Sequence, residues 1–310
     1  MSLLKSMLSS VYWWRTRFLL RFNPKVIANT AYKSVFKKDI NWTNPTDLIE
    51  KIQWLQIYSD TSLWTICADK YLVRDFVNKR GCGTVLNEVY GMWYNPNDID
   101  WSLLPDSFVL KANHSCGQVI LVNDKSRLDK NRTNIQLQNW MKTVYGSINA
   151  QLHYTRIKPR IIAEKLLINK KEPDKSLIDY KIWCFHGVPE CVLVAYNRTK
   201  SNYSLSLYDL EWNNISDIAF NKGNSHFCGT EITKPSSFDE MLEVAKILSK
   251  DFPQVRVDFY DIDGEAVFGE MTFTTGFGSY SEEYYKYLGS KIDLSKVEKL
   301  SRPNFHRFFK

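Results

Sequence analysis

Apolar and polar positions alternate most regularly along VRVDFY, where Val255, Val257 and Phe259 interleave with Arg256, Asp258 and Tyr260. Beyond an Asp263-Gly264 turn, Ala266, Phe268, Met271 and Phe273 carry the apolar pattern, with a break at Gly269. A period of two marks half-buried strands, and Asp-Gly is a hairpin turn. A strict two-residue loop would set Asp258 opposite Gly269 and send Glu270 to the other face. One bulged residue at Gly269 would bring Asp258 and Glu270 side by side, with Thr272 following on the same face. Adjacent carboxylates repel unless a cation sits between them, and hard oxygen ligands suit Mg²⁺ bound to substrate phosphates. An ordinary solvated hairpin with acidic outer residues fits the same pattern.

Elsewhere the periodicity predicts a helix over 44–58, capped by Thr46 or Asn44, and a second over 68–80, stopped by Gly81, with Asp69 and Lys70 in its first turn. Residues 107–113 and 117–123 alternate around the turn Asn113–Gly117 and predict a hairpin, with Lys111 on the face of Val109 and Asn113. A helix follows over 132–145 and a strand over 160–168, in which Glu164 and Lys165 face opposite ways. Segments 179–185 and 190–196 form another hairpin across 186–189, and 203–210 is a further strand. Residues 211–236 read as a long polar loop. Ser237 and Glu240 then form a capping box for a helix buried through Phe238, Met241, Leu242, Ala245 and Leu248. Strands and helices mix without a regular βαβ alternation, so the fold class is α+β with mostly antiparallel strands.

Composition adds limits. At 310 residues, 44% hydrophobic and 24% charged, the chain can bury a sizeable core as two packed lobes. A net charge of +7 favours an anionic ligand without choosing among nucleotides, acidic polysaccharides, nucleic acid and lipid headgroups. Six scattered cysteines with no C-x-x-C pair argue for reduced thiols in a cytoplasmic protein and against a zinc site. Residues 1–22 are aromatic and basic with no acid, a composition that suits either peripheral contact with an anionic inner-membrane surface or packing on the domain.

Taken in order, EKIQWL (50–55), DKYLVRDFV (69–77), LPDSFVLKANHSCG (104–117), IIAEKLL (161–167), DYKIWCFHG (179–187), SLYDLEW (206–212) and the hairpin at 252–278 resemble the TupA-like ATP-grasp family. The resemblance implies two α+β lobes whose antiparallel sheets sandwich ATP. It divides the chain into a helical segment (1–66), a lobe with the phosphate-loop lid (67–163) and a lobe with the metal site (164–310). Lys70 and Lys111 would then reach the nucleotide phosphates, and the turn through His114, Ser115 and Gly117 would close over them. Glu164, Lys165 and Leu167 resemble the adenine-reading E-K-x-L strand of D-alanine–D-alanine ligase. Lys181 would touch the γ-phosphate and Arg198 the acceptor or acyl phosphate. Asp258 and Glu270 match the metal ligands of an R-x-D…E-x-N pattern with Arg256 alongside, Thr272 standing where asparagine is usual. The phosphate loop also departs from the family, with one glycine and with Cys116 and Gln118 beside it.

The activity implied is an ATP- and Mg²⁺-dependent carboxylate–amine ligase working through an acyl phosphate. Its expected partners are ATP, an amino acid or amine and an anionic sugar or polysaccharide acceptor, with no nucleic acid. A glycosyltransferase of polysaccharide biosynthesis would also use an acidic metal-binding pair, but does not require the Lys111 loop or the E-K-x-L strand. A non-catalytic nucleotide-binding scaffold at the membrane is the third reading.

Overall fold

Two antiparallel sheets organise the chain in a computed structural model that describes residues 20, 22–147, 149–170, 172, 173, 175–199, 202–221, 226 and 230–303. Four helices come first: α1 (Pro24–Phe36), α2 (Leu48–Tyr58), α3 (Ser62–Ala68) and α4 (Val73–Lys79). The cap of α2 is Asp47, not Thr46 or Asn44. Its extended backbone places Oδ1 2.9 Å from the Glu50 N–H, while Glu50 turns back to accept the Thr46 N–H at 2.8 Å. The helix expected over 68–80 divides in two. Asp69 Oδ1 accepts the Tyr71 and Leu72 N–H groups (2.9 and 3.2 Å), and this side-chain turn displaces helix until Val73. Residues 1–22, expected either to contact a membrane surface or to pack on the domain, lie outside the described residues apart from Leu20, which is buried in the core, and Phe22. Among the described residues no helix is long and apolar enough to cross a membrane.

The first sheet runs β1 (Val89–Trp93), β4 (Ile161–Glu164), β2 (Phe108–Ala112), β3 (Val119–Val122). β2 and β3 are the expected hairpin. β1 was not legible in the pattern, and β4 ends at Glu164 rather than 168. One face of this sheet buries Phe108, Leu110, Ala112, Val122, Ile161 and Ala163 with Leu137 of α5 (Lys130–Met141). Register sets Val109 opposite Glu164 and Lys111 opposite Ile162, so these four share the other face.

The second sheet runs β7 (Ser204–Tyr208), β6 (Val188–Tyr196), β5 (Asp179–Phe185), β8 (Val255–Ile262), β9 (Glu265–Thr272). The β5–β6 turn is tighter than expected. His186 and Gly187 both take positive φ (50° and 81°), which makes a two-residue loop and extends β6 back to Val188. The loop at 211–236 contains a short helix, α6 (Ser216–Ala219). On the back of the sheet lies α7 (Phe238–Ser249), where Cys184 Sγ meets the Ala245 carbonyl; Met241, Ala245, Leu248, Ile182, Val257 and Phe259 are all buried in this core. The capping box predicted for α7 does not form. Ser237 Oγ donates instead to Asp261 Oδ2 at 2.7 Å, and Glu240 accepts the Ala266 N–H of β9 at 3.3 Å. Asp261 on the neighbouring strand gives the Ser237 hydroxyl a charged acceptor, and this bond takes the place of a cap contact from the Glu240 N–H. The last helix, α8 (Glu282–Ser290), packs on α2 so closely that a Cβ at Gly289 would run into the Thr46 and Asp47 main chain.

Candidate active site

The β8–β9 hairpin has the bulge that its sequence predicts. Ile262 pairs with Glu265 across a turn in which Asp263 and Gly264 have positive φ, and the register slips between Asp258 and Phe259, leaving Gly269 as the extra residue. Asp258 therefore sits directly opposite Glu270, and Arg256 opposite Thr272. Because β5 pairs Lys181 with Asp258 and Trp183 with Arg256, the rows continue across three strands as Lys181–Asp258–Glu270 and Trp183–Arg256–Thr272. Directly opposite residues share a face of a sheet, so the charges converge on the front, away from α7.

Each carboxylate there is matched by cations. Arg256 donates bidentately to Asp258 (2.7 and 2.8 Å), and Lys181 Nζ lies 2.6 Å from Asp258 Oδ2 and 3.2 Å from Asp179 Oδ1. Arg198 donates to the other Asp179 oxygen at 2.8 Å, with its side chain about half exposed (49%). Thr272 Oγ1 donates to Glu270 at 3.2 Å and lies 3.3 Å from Arg256 Nη2. Lys70 reaches Glu270 at 3.1 Å from the turn before α4 and donates to the Ser115 carbonyl at 2.9 Å, joining the hairpin to the loop between β2 and β3. Four cations thus face three carboxylates.

These neighbours set the protonation states. Burial alone would push the Glu270 carboxyl up, but Lys70, then Lys181 and Arg256, outweigh it and bring it down to about 2. Burial disfavours charge on Lys181 too, yet Asp258 and Asp179 hold it above the ordinary ammonium range, as Glu270 does for Lys70. Asp179 is lowered: Lys181 and Arg198 exceed the burial penalty. Glu270, Asp179, Lys181 and Lys70 are therefore ionised throughout the physiological range.

On the first sheet Lys111 pairs with Glu164 at 2.6 Å, and Glu164 is near enough to help raise Lys70. The β2–β3 loop turns on Gly117, at φ 76°; Ser115 Oγ donates to Gln118 Oε1 at 2.6 Å, and His114 is buried with burial depressing its pKa. Through Lys70 the structure brings together Glu164 with its partner Lys111, the loop residues His114, Ser115 and Gly117, and the hairpin group Lys181, Arg198, Arg256, Asp258, Glu270 and Thr272. Lys165 and Leu167 lie beyond the end of β4. The Lys165 N–H donates to the Glu88 carbonyl (3.0 Å) and its carbonyl accepts from Asn87 Nδ2 (2.9 Å), so both of its main-chain groups are engaged within the protein.

Three further contributors were not singled out from sequence. Asp179 precedes Lys181 by two in an alternating strand and so shares its face, a signal that period two supplies. Tyr260 hydrogen-bonds Asp179, and burial with the nearby carboxylates drives its phenol pKa well up. Tyr145 hydrogen-bonds the Cys116 thiol beside Glu270, a contact across distant segments that no local pattern encodes.

A profile of the TupA-like ATP-grasp family matches residues 50–293. The chain belongs to that family. Among solved structures, D-alanine–D-alanine ligase from Bacillus anthracis is similar at 14% identity and a TM-score of 0.47, covering 76% of this chain and 69% of that one. VanG D-Ala:D-Ser ligase from Enterococcus faecalis is similar at 14% identity and a TM-score of 0.43, covering 76% and 63%. No curated protein sequence matches.

The Mg²⁺ that the family implies calls for hard oxygen donors. Asp258, Glu270 and Thr272 offer only hard oxygen on one face of one hairpin, which fits Mg²⁺. Among the described residues no cluster of three or more His, Cys, Asp or Glu surrounds a cation position, so two carboxylates would leave the remaining coordination to phosphate and water, as Mg²⁺ prefers.

Proposed function

We propose that this protein joins a carboxylate to an amine through an acyl phosphate, attaching an amino acid to an acidic sugar during surface polysaccharide (capsule or O-antigen) biosynthesis. The observation that carries the ligase chemistry is the Lys181–Asp258–Glu270 row faced by Lys70 from the turn before α4. In this reading Lys70 and Lys111 bind the transferring phosphates, and His114, Ser115 and Gly117 close over them. Lys181 neutralises charge that builds on the γ-phosphoryl oxygens, an interaction that strengthens as transfer proceeds. Arg198, the most exposed cation of the group, takes the acceptor or the acyl phosphate, while Arg256 fixes Asp258 in place. Asp258, Glu270 and Thr272 would hold Mg²⁺, which would supply charge neutralisation to the transferring phosphates. With Lys165 engaged by Glu88 and Asn87, the adenine edge falls to the main chain near Leu167, beside Glu164.

The acidic-sugar acceptor follows from the family resemblance and agrees with the excess of positive charge. The chain is placed in the cytoplasm on its cysteine usage, with residues 1–22 as the segment that would touch the inner membrane if the acceptor is lipid-linked. The test is isotopic. Incubation with ATP, Mg²⁺, candidate amino acids and a uronic-acid acceptor labelled with ¹⁸O in its carboxylate should release ADP and labelled phosphate. Label retained wholly in the product would exclude the acyl phosphate, and transfer from a nucleotide-sugar without ADP release would favour a glycosyltransferase.

A further inference from the structure

Lys70 is the cation that spans the two halves of the site, yet it sits on a turn rather than on a regular element. What fixes that turn is a buried polar junction. Asp69 uses one oxygen to accept the Tyr71 and Leu72 N–H groups and the other to accept Arg160 Nη1 at 2.8 Å. Arg160 leaves by its own N–H to Asn113 Oδ1 at 2.7 Å, and its guanidinium lies against the rings of Tyr94 and Tyr71 (5.1 and 5.7 Å). Asn113, fully buried, is the residue from which the phosphate loop departs. Its N–H donates to the Arg160 carbonyl (3.1 Å), its carbonyl accepts the Lys70 N–H (3.1 Å), and its amide donates to the Lys158 carbonyl (3.0 Å). One asparagine therefore binds the Lys70 turn, the root of the loop and the segment leading into β4.

We infer that Asp69, Asn113 and Arg160 form a positioning unit that registers the Lys70 ammonium against the phosphate loop, so that lysine and loop meet the nucleotide phosphates as one body. The inference rests on the ATP site proposed above. Asn113 has no need to touch the nucleotide; it acts through Lys70. Arg160 Nε is buried without a hydrogen-bond partner among the described residues, but the bonds from Asp69 to Arg160 and from Asn113 to Lys70, Arg160 and Lys158 tie together three segments that would otherwise be free to shift.

A double-mutant cycle on the full chain tests it, with the dissociation constant for Mg²⁺·ATP read by calorimetry and folding checked by circular dichroism. Asn113→Ala should weaken ATP about 10-fold in the otherwise unmodified protein and less than about 2-fold in a Lys70→Ala background, where the group it positions is gone. Asp69→Asn, which keeps the side-chain shape but loses the charge that holds Arg160, should show the same dependence on Lys70, and it serves if Asn113→Ala does not fold. Equal losses in both backgrounds, or none in either, would overturn the inference while leaving the ATP site standing. Absence of ATP binding by the unmodified protein would overturn the site and this inference with it.

Discussion

Glu270 holds the most strongly shifted carboxyl among the acids of the site, and its neighbours give it two separable roles. Its folded pKa of about 2 lies below the ordinary 4.5, so its ionised form stabilises the folded chain fully above pH 4.5, and that contribution fades as pH falls toward 2. Glu270→Gln should flatten the acid limb of a stability–pH curve between roughly pH 5 and 2, as read by urea unfolding at each pH. The same substitution frees Lys70 from a competing anion. Metal-free ATP should then bind more tightly, by up to about 10-fold in calorimetry, while the gain from adding Mg²⁺ is largely lost. Asp258→Asn differs, because Arg256 and Lys181 are left buried without a full counter-charge. A loss of about 3–5 kcal/mol in unfolding free energy is expected there. Which residues would gather was legible for Asp258 and Glu270, since alternation and one glycine fix a register. It was not legible for Tyr145 and Cys116, whose meeting depends on how the 143–157 segment folds back.

At the scale of elements, the hairpin was readable because strand period, turn chemistry and bulge all constrain the same few residues. A Cβ at Gly269 would stand 3.0 Å from the Asp258 carbonyl oxygen, so Gly269→Val should cost about 1–3 kcal/mol by overpacking and weaken Mg²⁺·ATP binding together, measured by thermal unfolding with and without ligand. The start of α7 shows the opposite case. Ser237 and Glu240 are spaced as a capping box, but both are drawn to the hairpin, Ser237 to Asp261 and Glu240 to the Ala266 N–H. Asp261→Ala should therefore destabilise the protein by about 1–2 kcal/mol although it lies outside the helix it supports. β1 was missed because Val89–Trp93 has no polar positions to alternate with its apolar ones, carries Gly91 at its centre and leaves all five residues half-buried. Asp69 similarly split a predicted helix through a side-chain bond that propensity does not register.

Over the whole molecule, two apolar clusters lie behind two sheets, and the polar faces carry the site between them. The main cluster extends from the N-terminal helices to α8, so the closeness of α2 and α8 bears on the sheet that holds Asp258. Gly289→Ala should lower the thermal midpoint by several degrees while leaving the local chemistry unchanged. The bridge from Ser115 through Lys70 to Glu270 has a different kind of consequence. With every carboxylate of the site already matched to an ammonium or guanidinium, nucleotide entry at the proposed site would be an ion exchange. Phosphate oxygens would take the lysines, and the carboxylates so released would be free to accept a divalent cation. ATP and Mg²⁺ should then each raise the other's affinity by one and the same factor, as reciprocity between linked equilibria requires. Monovalent salt, which weakens pairs of both kinds, should depress that factor less than it depresses the affinity of either ligand alone.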